Sequence, residues 1–543
     1  MSIRNRGVIR LATRASFADG LTRNLDARRW APAALALLCA SVLLLGLWQA
    51  VGDSPTIDEP VYVAAGLTAL TRHDLRYNPQ HPPLGKVLAA FPALFAHPRL
   101  PGGRLWRHPH NRPYARAFLT GLRVDGKLRE VTVLSRLVPL LELAATGLLV
   151  FLLARRLAGP VGGVLAAGLW LLDPYVIGLG HFNGIDLPFT LAALAVALAL
   201  VRWLEVRTPL RAVVLGLACG AAMTTRDTGP LLLVLSLVVV AVAGRRVRPP
   251  LAVLGAAAGF VWLLYLGLDP AYTLQHVNVL PQRFVDGFAA LLKAHSSPAP
   301  AFLLGHRWYG GRWWFWPGSM AIKLPVTLLV AWLLGTLFHR RAAPDARRRV
   351  YVATVPAALL LAAFTMASPV DLGLRYMLPV IALLTVCVAP LARVRRAVPA
   401  LLLAGSAAIA LASVPHSFAW IEPPFHPGYR VATDGNLDWG QDVYRLQRWA
   451  RGKRPWIACY SPKGMNCAIA VPGARPMGKY ANPARVHGWV AMSATLQSLK
   501  DWDPWLKRLR PVGTIDGTIL LYHVGPPATA VPRPATAVPR PRS

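Results

Sequence analysis

The sequence predicts an all-α polytopic membrane protein of about eleven transmembrane helices, followed by a small C-terminal α/β domain outside the bilayer. Three observations predict it. Of 543 residues, 55% are hydrophobic and only 15% charged, and the mean hydropathy is +0.42; soluble domains of this size rarely show that balance. The apolar residues fall in runs of about 20, the length that crosses a bilayer. The charges cluster between those runs, as they do in the loops of membrane proteins.

The net charge of +35, from 59 Lys+Arg against 24 Asp+Glu, raises the question of nucleic acid. No polar domain interleaves basic and aromatic residues, so nucleic acid is excluded as a partner. Membrane lipids are the partner this charge implies, with basic residues of the C-terminal part meeting anionic headgroups.

Taken in order, the runs place spans at 31–51, 131–153, 159–179, 187–204, 209–225, 229–244, 250–268, 318–338, 350–367, 375–392 and 398–414. The first follows an Arg-rich polar start, so Trp30 to Val51 reads as a signal anchor rather than a cleaved leader. If the spans alternate, Arg28 and Arg29, Arg155 and Arg156, Arg202 with Arg207 and Arg211, Arg245 with Arg246 and Arg248, Arg340 with Arg347 to Arg349, and Arg393 with Arg395 and Arg396 share one side. The positive-inside rule makes that side the cytoplasm; the membrane expected is a bacterial inner membrane.

The organisation expected is therefore a cytoplasmic segment 1–30, a transmembrane domain 31–414, an extracytoplasmic α/β domain 415–525, and a Pro-rich tail 526–543. The tail repeats ATAVPRP at Ala528–Pro534 and Ala535–Pro541, a composition that does not pack. The outer face receives loops 52–130 and 269–317 as well as the terminal domain. That domain shows a helical stretch from Asp442 to Arg451 and strand-like runs from Trp456 to Tyr460 and from Gly517 to Val524. Cys39, Cys219 and Cys387 sit in apolar runs as packing residues, whereas Cys459 and Cys467 flank a polar outer loop where a bridge is one of two outcomes.

The first outer loop opens with Asp53-Ser54-Pro55-Thr56-Ile57-Asp58-Glu59-Pro60, adjacent carboxylates at the membrane surface in a chain short of acids. Thr56 or Asp58 capping the next helix, from Val61 to Leu70, is one reading; a general base for a hydroxyl acceptor is the other. Further along runs His73-Asp74-Leu75-Arg76-Tyr77-Asn78-Pro79-Gln80-His81-Pro82-Pro83-Leu84-Gly85-Lys86, then an apolar stretch to Ala96 that is too short to span and suits the interface. Lys86 either snorkels to water or neutralises a phosphate.

Asp58-Glu59-Pro60 and Asn78 to Lys86 resemble the first-loop signature of the C-type glycosyltransferase (GT-C) superfamily, in the branch of protein O-mannosyltransferases, glycosyltransferase family 39, and lipid A aminoarabinose transferases. Four later stretches agree in order: Asp173-Pro174 through His181 to Asp186-Leu187-Pro188; Tyr309-Gly310-Gly311 through Trp313-Trp314 to Lys323-Leu324-Pro325; Leu372-Gly373-Leu374-Arg375-Tyr376-Met377-Leu378-Pro379; and Asn436-Leu437-Asp438-Trp439-Gly440-Gln441-Asp442. The last is similar to a bacterial subgroup of phospholipid carrier-dependent transferases. The sequence departs from the pattern at Gln80, where many relatives carry an acid, and at Arg226, where they usually carry Lys.

The resemblance implies the GT-C fold and an inverting hexosyl or mannosyl-type transfer from a polyprenyl-phosphate sugar to a protein, lipid or glycan acceptor. Asp58 would be the base and Glu59 a second catalytic residue orienting the acceptor or a divalent metal. Lys86, Arg375 and Lys323 would hold the donor phosphate; Asp186, His181, Asn78, His81 and Tyr376 would line the substrate site; Glu59 with His181 would be the metal ligands. Each has a plainer reading. Asp186 caps a helix, His181 is a hydrogen-bonded structural histidine, Arg226-Asp227 is an internal ion pair, and Asp371 pairs with Arg375, making Arg375 structural. Trp308, Trp313, Trp314 and Trp316 form an aromatic belt.

A transporter or lipid-linked-sugar flippase would be equally polytopic and basic, but places charged or broken segments at mid-membrane. Here the ionisable residues gather at span ends and in outer loops. A non-catalytic assembly protein keeping the same fold is a third reading.

Overall fold

The computed structural model describes residues 4–244, 247–294, 298–465 and 467–525, with side chains from Arg28 onward apart from Ala294, Ala468 and Ile469. Arg245 and Arg246 and the ATAVPRP repeats lie outside the described residues.

The helices fall where the hydropathy placed them. Arg28–Gly52, Leu128–Leu171, Asp186–Glu205, Arg248–Leu268, Pro344–Met366 and Leu374–Arg393 are long and apolar enough to cross a membrane, and Phe315–Lys323 with Val326–Arg341, bent by 115°, add a seventh crossing when taken together. Pro209–Met223, Gly229–Gly244 and Ala397–Ser413 are shorter apolar helices at three further expected positions. Leu128–Leu171 runs 44 residues, roughly twice what one span needs. Its helical geometry fails at Ala158 and Gly159 (φ −141° and 74°) just before Pro160, and Pro cannot continue the hydrogen-bond ladder. Two expected spans thus meet at this break, and the protein is a multi-pass membrane protein.

One boundary differs. The span expected over 159–179 ends at Leu171, because Asp173 caps a new helix, Pro174–Leu179: its carboxylate accepts from Tyr175 N (2.8 Å) and Val176 N (3.4 Å). The belt reading fails for two of its tryptophans. Trp308 and Trp316 are buried, Trp308 donating its indole N–H to Asp371 at 3.1 Å, while Trp313 is exposed.

At one end of the bundle three pieces gather. The first loop folds as Glu59–Arg72, Leu84–Ala90 and Asn111–Val124. The second carries Gln282–Ala294 and a hairpin of β1 (Pro300–Leu303) with β2 (His306–Tyr309). The terminal part forms a mixed sheet of β3 (Trp456–Ala458), β4 (Arg475–Pro476), β5 (Gly488–Ser493), β6 (Gly513–Ile515) and β7 (Ile519–Val524) in the order β4-β3-β5-β7-β6. The helix expected from Asp442 spans Val443–Ala450. Backbone bonds join the pieces: Ser54 N to Gln441 O at 2.8 Å, Ile57 N to Trp439 O at 3.0 Å, and Leu304 N to Val431 O at 2.9 Å.

The start of the first loop is fixed by one buried guanidinium. Arg136 binds both oxygens of Glu59 (2.8 and 2.7 Å) and the carbonyls of Ala50, Asp53 and Ser54 (2.8 to 3.0 Å). Both side chains are buried. Glu59 also accepts from Thr56 N (2.8 Å) and Asn183 N (3.0 Å). Burial alone would raise its pKa, but Arg136 and these amides outweigh it and hold the carboxyl below its usual value. A buried ion pair is costly to half-remove, because the partner left behind is charged and dry.

Asp438 and Asp434 form the seam between the bundle and the sheet. Burial pushes both to about 6, against hydrogen bonds to Asp438 from Ser493 and Thr495 and the charge of Arg375 near Asp434. A carboxyl that holds its proton more tightly when folded contributes stability below its unfolded value, about 4, and loses it as pH rises through about 6.

Two outcomes follow for unfolding in detergent. Arg136→Met should cost about 3–5 kcal/mol, and Arg136→Met with Glu59→Gln clearly less; equal losses would remove the pair as the loop's anchor. The melting temperature should fall between about pH 4 and pH 6, and Asp434→Asn, tolerated at its φ of 49°, should flatten that slope. An unchanged slope would deny Asp434 its raised value.

Candidate active site

Asp58 is the acid left free. It occupies the N-cap position of Glu59–Arg72 with φ −95° and ψ −28°, and its side chain makes no capping hydrogen bond. The capping explanation therefore fails. Among the described residues its carboxylate meets one side-chain partner, Arg375, with Nη1 donating to Oδ2 at 3.1 Å, and about a third of the side chain is exposed.

Arg375 sits 317 residues away in sequence and is positioned by the close approach of two tight loops. Gly373 has φ 110°, where only glycine is comfortable, and a Cβ there would stand 2.9 Å from Gly435 C. Leu374 N then donates to Asn436 Oδ1 at 2.7 Å, and Asn436 Nδ2 to Ser319 Oγ at 3.2 Å. The Arg375 guanidinium lies 4.4 Å over the Trp439 ring, contacts Asp186 at 3.8 Å, and keeps a buried Nε without a partner. It does not pair with Asp371, which accepts from Trp308 and from Arg312 N (2.9 Å).

Asp186 in turn accepts from Arg226 Nη1 at 2.7 Å, so Arg226 pairs with Asp186 rather than with its neighbour Asp227. Asp227 faces His81 at 3.7 Å. The result is a row of alternating charge, Asp58, Arg375, Asp186, Arg226, walled by Trp439 and by Tyr376, over which Arg226 lies at 4.4 Å. Tyr62 stands edge-on to His81 with ring centres 5.9 Å apart. Asp186, Arg375, Tyr376 and His81 are thus brought close to Asp58.

Five expected site residues make other contacts. Glu59 gives both oxygens to Arg136. His181 is fully buried with Nε2 2.9 Å from Asp53 Oδ2, and neither contact is with the other member of the expected Glu59–His181 pair. Lys323 is buried and donates to the carbonyls of Phe418 (2.8 Å) and Trp420 (2.5 Å); a lysine already tied to the chain this way is a strut, not a phosphate clamp. Lys86 donates to Asn78 O (2.7 Å), Asn78 Oδ1 (3.2 Å) and His81 O (2.6 Å), committing its three N–H groups to its own loop. Burial draws its ammonium down to about 7, Asp227 opposing. Asn78, buried at φ 55°, is the other half of that clamp rather than a substrate contact.

Sequence reading missed Arg136 and Arg445. Arg136 was visible as a charge inside an apolar run, where charges are costly. Arg445 bonds Asp53 (2.7 Å), Asp442 (2.5 Å) and Asp516 (3.1 Å). Ligand atoms of His416, Asp442 and Asp516 lie within 4.8 Å of one another, but the guanidinium of Arg445 already neutralises those acids.

A cavity of about 560 Å³ opens beside Asp58, between Asn111–Val124 and the sheet domain. Cys459 and Cys467, on its wall, form a disulfide.

Residues 111–266 match the family model described as dolichyl-phosphate-mannose-protein mannosyltransferase. No curated protein matches the chain. Among solved structures, it is similar to ArnT from Cupriavidus metallidurans bound to undecaprenyl phosphate, at 15% identity and a TM-score of 0.46, over 90% of this chain and 97% of that one. The apo state of the same protein matches at 14% identity and 0.48, over 90% and 98%. The archaeal oligosaccharyltransferase AglB from Archaeoglobus fulgidus, in complex with an inhibitory peptide and a dolichol-phosphate, matches at 13% identity and 0.39, over 89% and 74%. The family match bears out, over the residues it covers, the resemblance to C-type glycosyltransferases that the loop motifs carry.

Proposed function

We propose that this protein is an inverting glycosyltransferase that moves a sugar from a polyprenyl-phosphate carrier to an acceptor hydroxyl, with the loop end of the bundle facing away from the cytoplasm. The observation that carries the reading is the pairing of Asp58 with Arg375. A partly exposed carboxylate that lines a cavity and a buried guanidinium from a distant part of the chain meet, while the adjacent acid is bound to Arg136. The dolichyl-phosphate-mannose description of the matching family model supports a lipid-phosphate donor.

In this reading Asp58 takes the proton of the acceptor hydroxyl. The acceptor oxygen bonds the anomeric carbon as the bond from that carbon to the phosphate oxygen breaks, and the phosphate leaves with the electron pair. Attack opposite the leaving group inverts the centre. Negative charge grows on the phosphate, and a fixed cation beside it lowers the barrier. Arg375 supplies that cation, its unpartnered Nε giving it a donor to spare, and Arg226 lies next in the row. Asp186 holds both guanidinium groups in place.

Complementation of a deletion strain, followed by mass spectrometry of envelope lipids and proteins, tests the roles. Asp58→Asn should lose about 10²–10⁴-fold in transfer while accumulating in the membrane like the parent; full activity would remove Asp58 as base. Arg375→Lys keeps the charge but not the fork that reaches Asp58 and Asp186 together, and should lose at least tenfold. Lys86→Ala, by contrast, should lower stability more than turnover; a selective loss of donor binding in that variant would return Lys86 to the phosphate site.

A further inference from the structure

The cavity beside Asp58 has a strongly one-sided wall. Arg112, Arg116, Lys463 and Lys500 line it, and Asp58 is the acid among its lining residues. Three separate segments supply these cations. Arg112 and Arg116 stand one turn apart on Asn111–Val124, Lys463 lies in the loop closed by the Cys459–Cys467 disulfide, and Lys500 follows the helix Ala494–Ser498. Arg112, Arg116 and Lys463 have no acidic partner among the described residues; Lys500 acts on Asp434 across space.

The fold holds the Lys463 loop tightly against the arginine helix. A Cβ on Gly464 would stand 2.7 Å from Arg116 O and 3.0 Å from Leu119 Cβ, so a side chain at 464 would push the loop off that helix. Like charges drawn together without a counter-charge repel, and the arrangement is favourable when a ligand supplies the negative charge. The same wall carries Tyr460 and Trp502, amphipathic rings suited to the apolar face of a sugar, and the indole N–H of Trp502 has no partner. The volume, about 560 Å³, is that of a small-molecule site.

We infer that this cavity binds the acceptor, and that the acceptor is an anionic saccharide carrying a phosphate or carboxylate beside the hydroxyl that Asp58 deprotonates. The inference rests on Asp58 as the base for its catalytic meaning, but its binding claim stands on the wall alone.

Equilibrium dialysis of the full chain in lipid nanodiscs against glucose 6-phosphate, glucuronate and methyl glucoside tests it without requiring turnover. At least one anionic probe should bind tenfold or more tightly than methyl glucoside, and the stronger of the two identifies phosphate or carboxylate. The preference should shrink as salt rises. It should fall at least fivefold in Arg112→Ala/Arg116→Ala and in Lys463→Ala/Lys500→Ala, and persist in Asp58→Asn. Equal binding of the three probes, or a preference unchanged in both double variants, overturns the inference. Full transfer by Asp58→Asn with the anion preference intact would remove Asp58 as base while leaving the cavity's specificity in place.

Discussion

The buried guanidinium of Arg136 decides what the first loop is able to do. By bonding both oxygens of Glu59 and three loop carbonyls, it fixes the chain just where it leaves the first span. Two adjacent acids are thereby given opposite fates: Glu59 is consumed as structure, and Asp58 is turned toward Arg375 and the cavity. Together with the bonds of Ser54 N to Gln441 O and Ile57 N to Trp439 O, that anchor holds the backbone that presents Asp58, where no side-chain cap does.

The same logic recurs around the site. Lys86 spends its protons on Asn78 and His81, Lys323 on the carbonyls of Phe418 and Trp420, and Arg445 on Asp53, Asp442 and Asp516. Each charged group removed from water is covered by several oxygens, the condition under which burial of a cation is tolerable. These struts tie the first loop, the bent eighth span and the sheet domain into one frame. What they leave unsatisfied is informative by contrast: the Nε of Arg375, the exposed part of Asp58, and the cations around the cavity.

Much of the architecture was legible in the sequence because hydropathy is a local property. The expected spans each fall on a helix, and the strands at Trp456 and Ile519 lie where β-branched and aromatic residues cluster. The motifs around Asp58, Arg375 and Asn436 were legible as well, since Gly373 and Asn436 mark loops that must approach closely. The partners were not. Whether Glu59, His181, Lys86 or Lys323 faces a substrate or a neighbouring carbonyl depends on what the fold brings beside it from tens or hundreds of residues away. Nothing in the spacing of Asp371 and Arg375 showed that each has a better partner elsewhere. Arg112, Arg116, Lys463 and Lys500 escaped notice for the same reason, being ordinary basic residues until the sheet domain closes over the first loop.

The most direct test of the central claim is a cryo-electron microscopy structure of the protein with bound polyprenyl phosphate. The phosphate should lie within about 3 Å of the Arg375 guanidinium, on the side away from the cavity that Asp58 faces. A phosphate held instead at Lys323, or at the opposite end of the bundle beside Arg393 and Arg396, would contradict it.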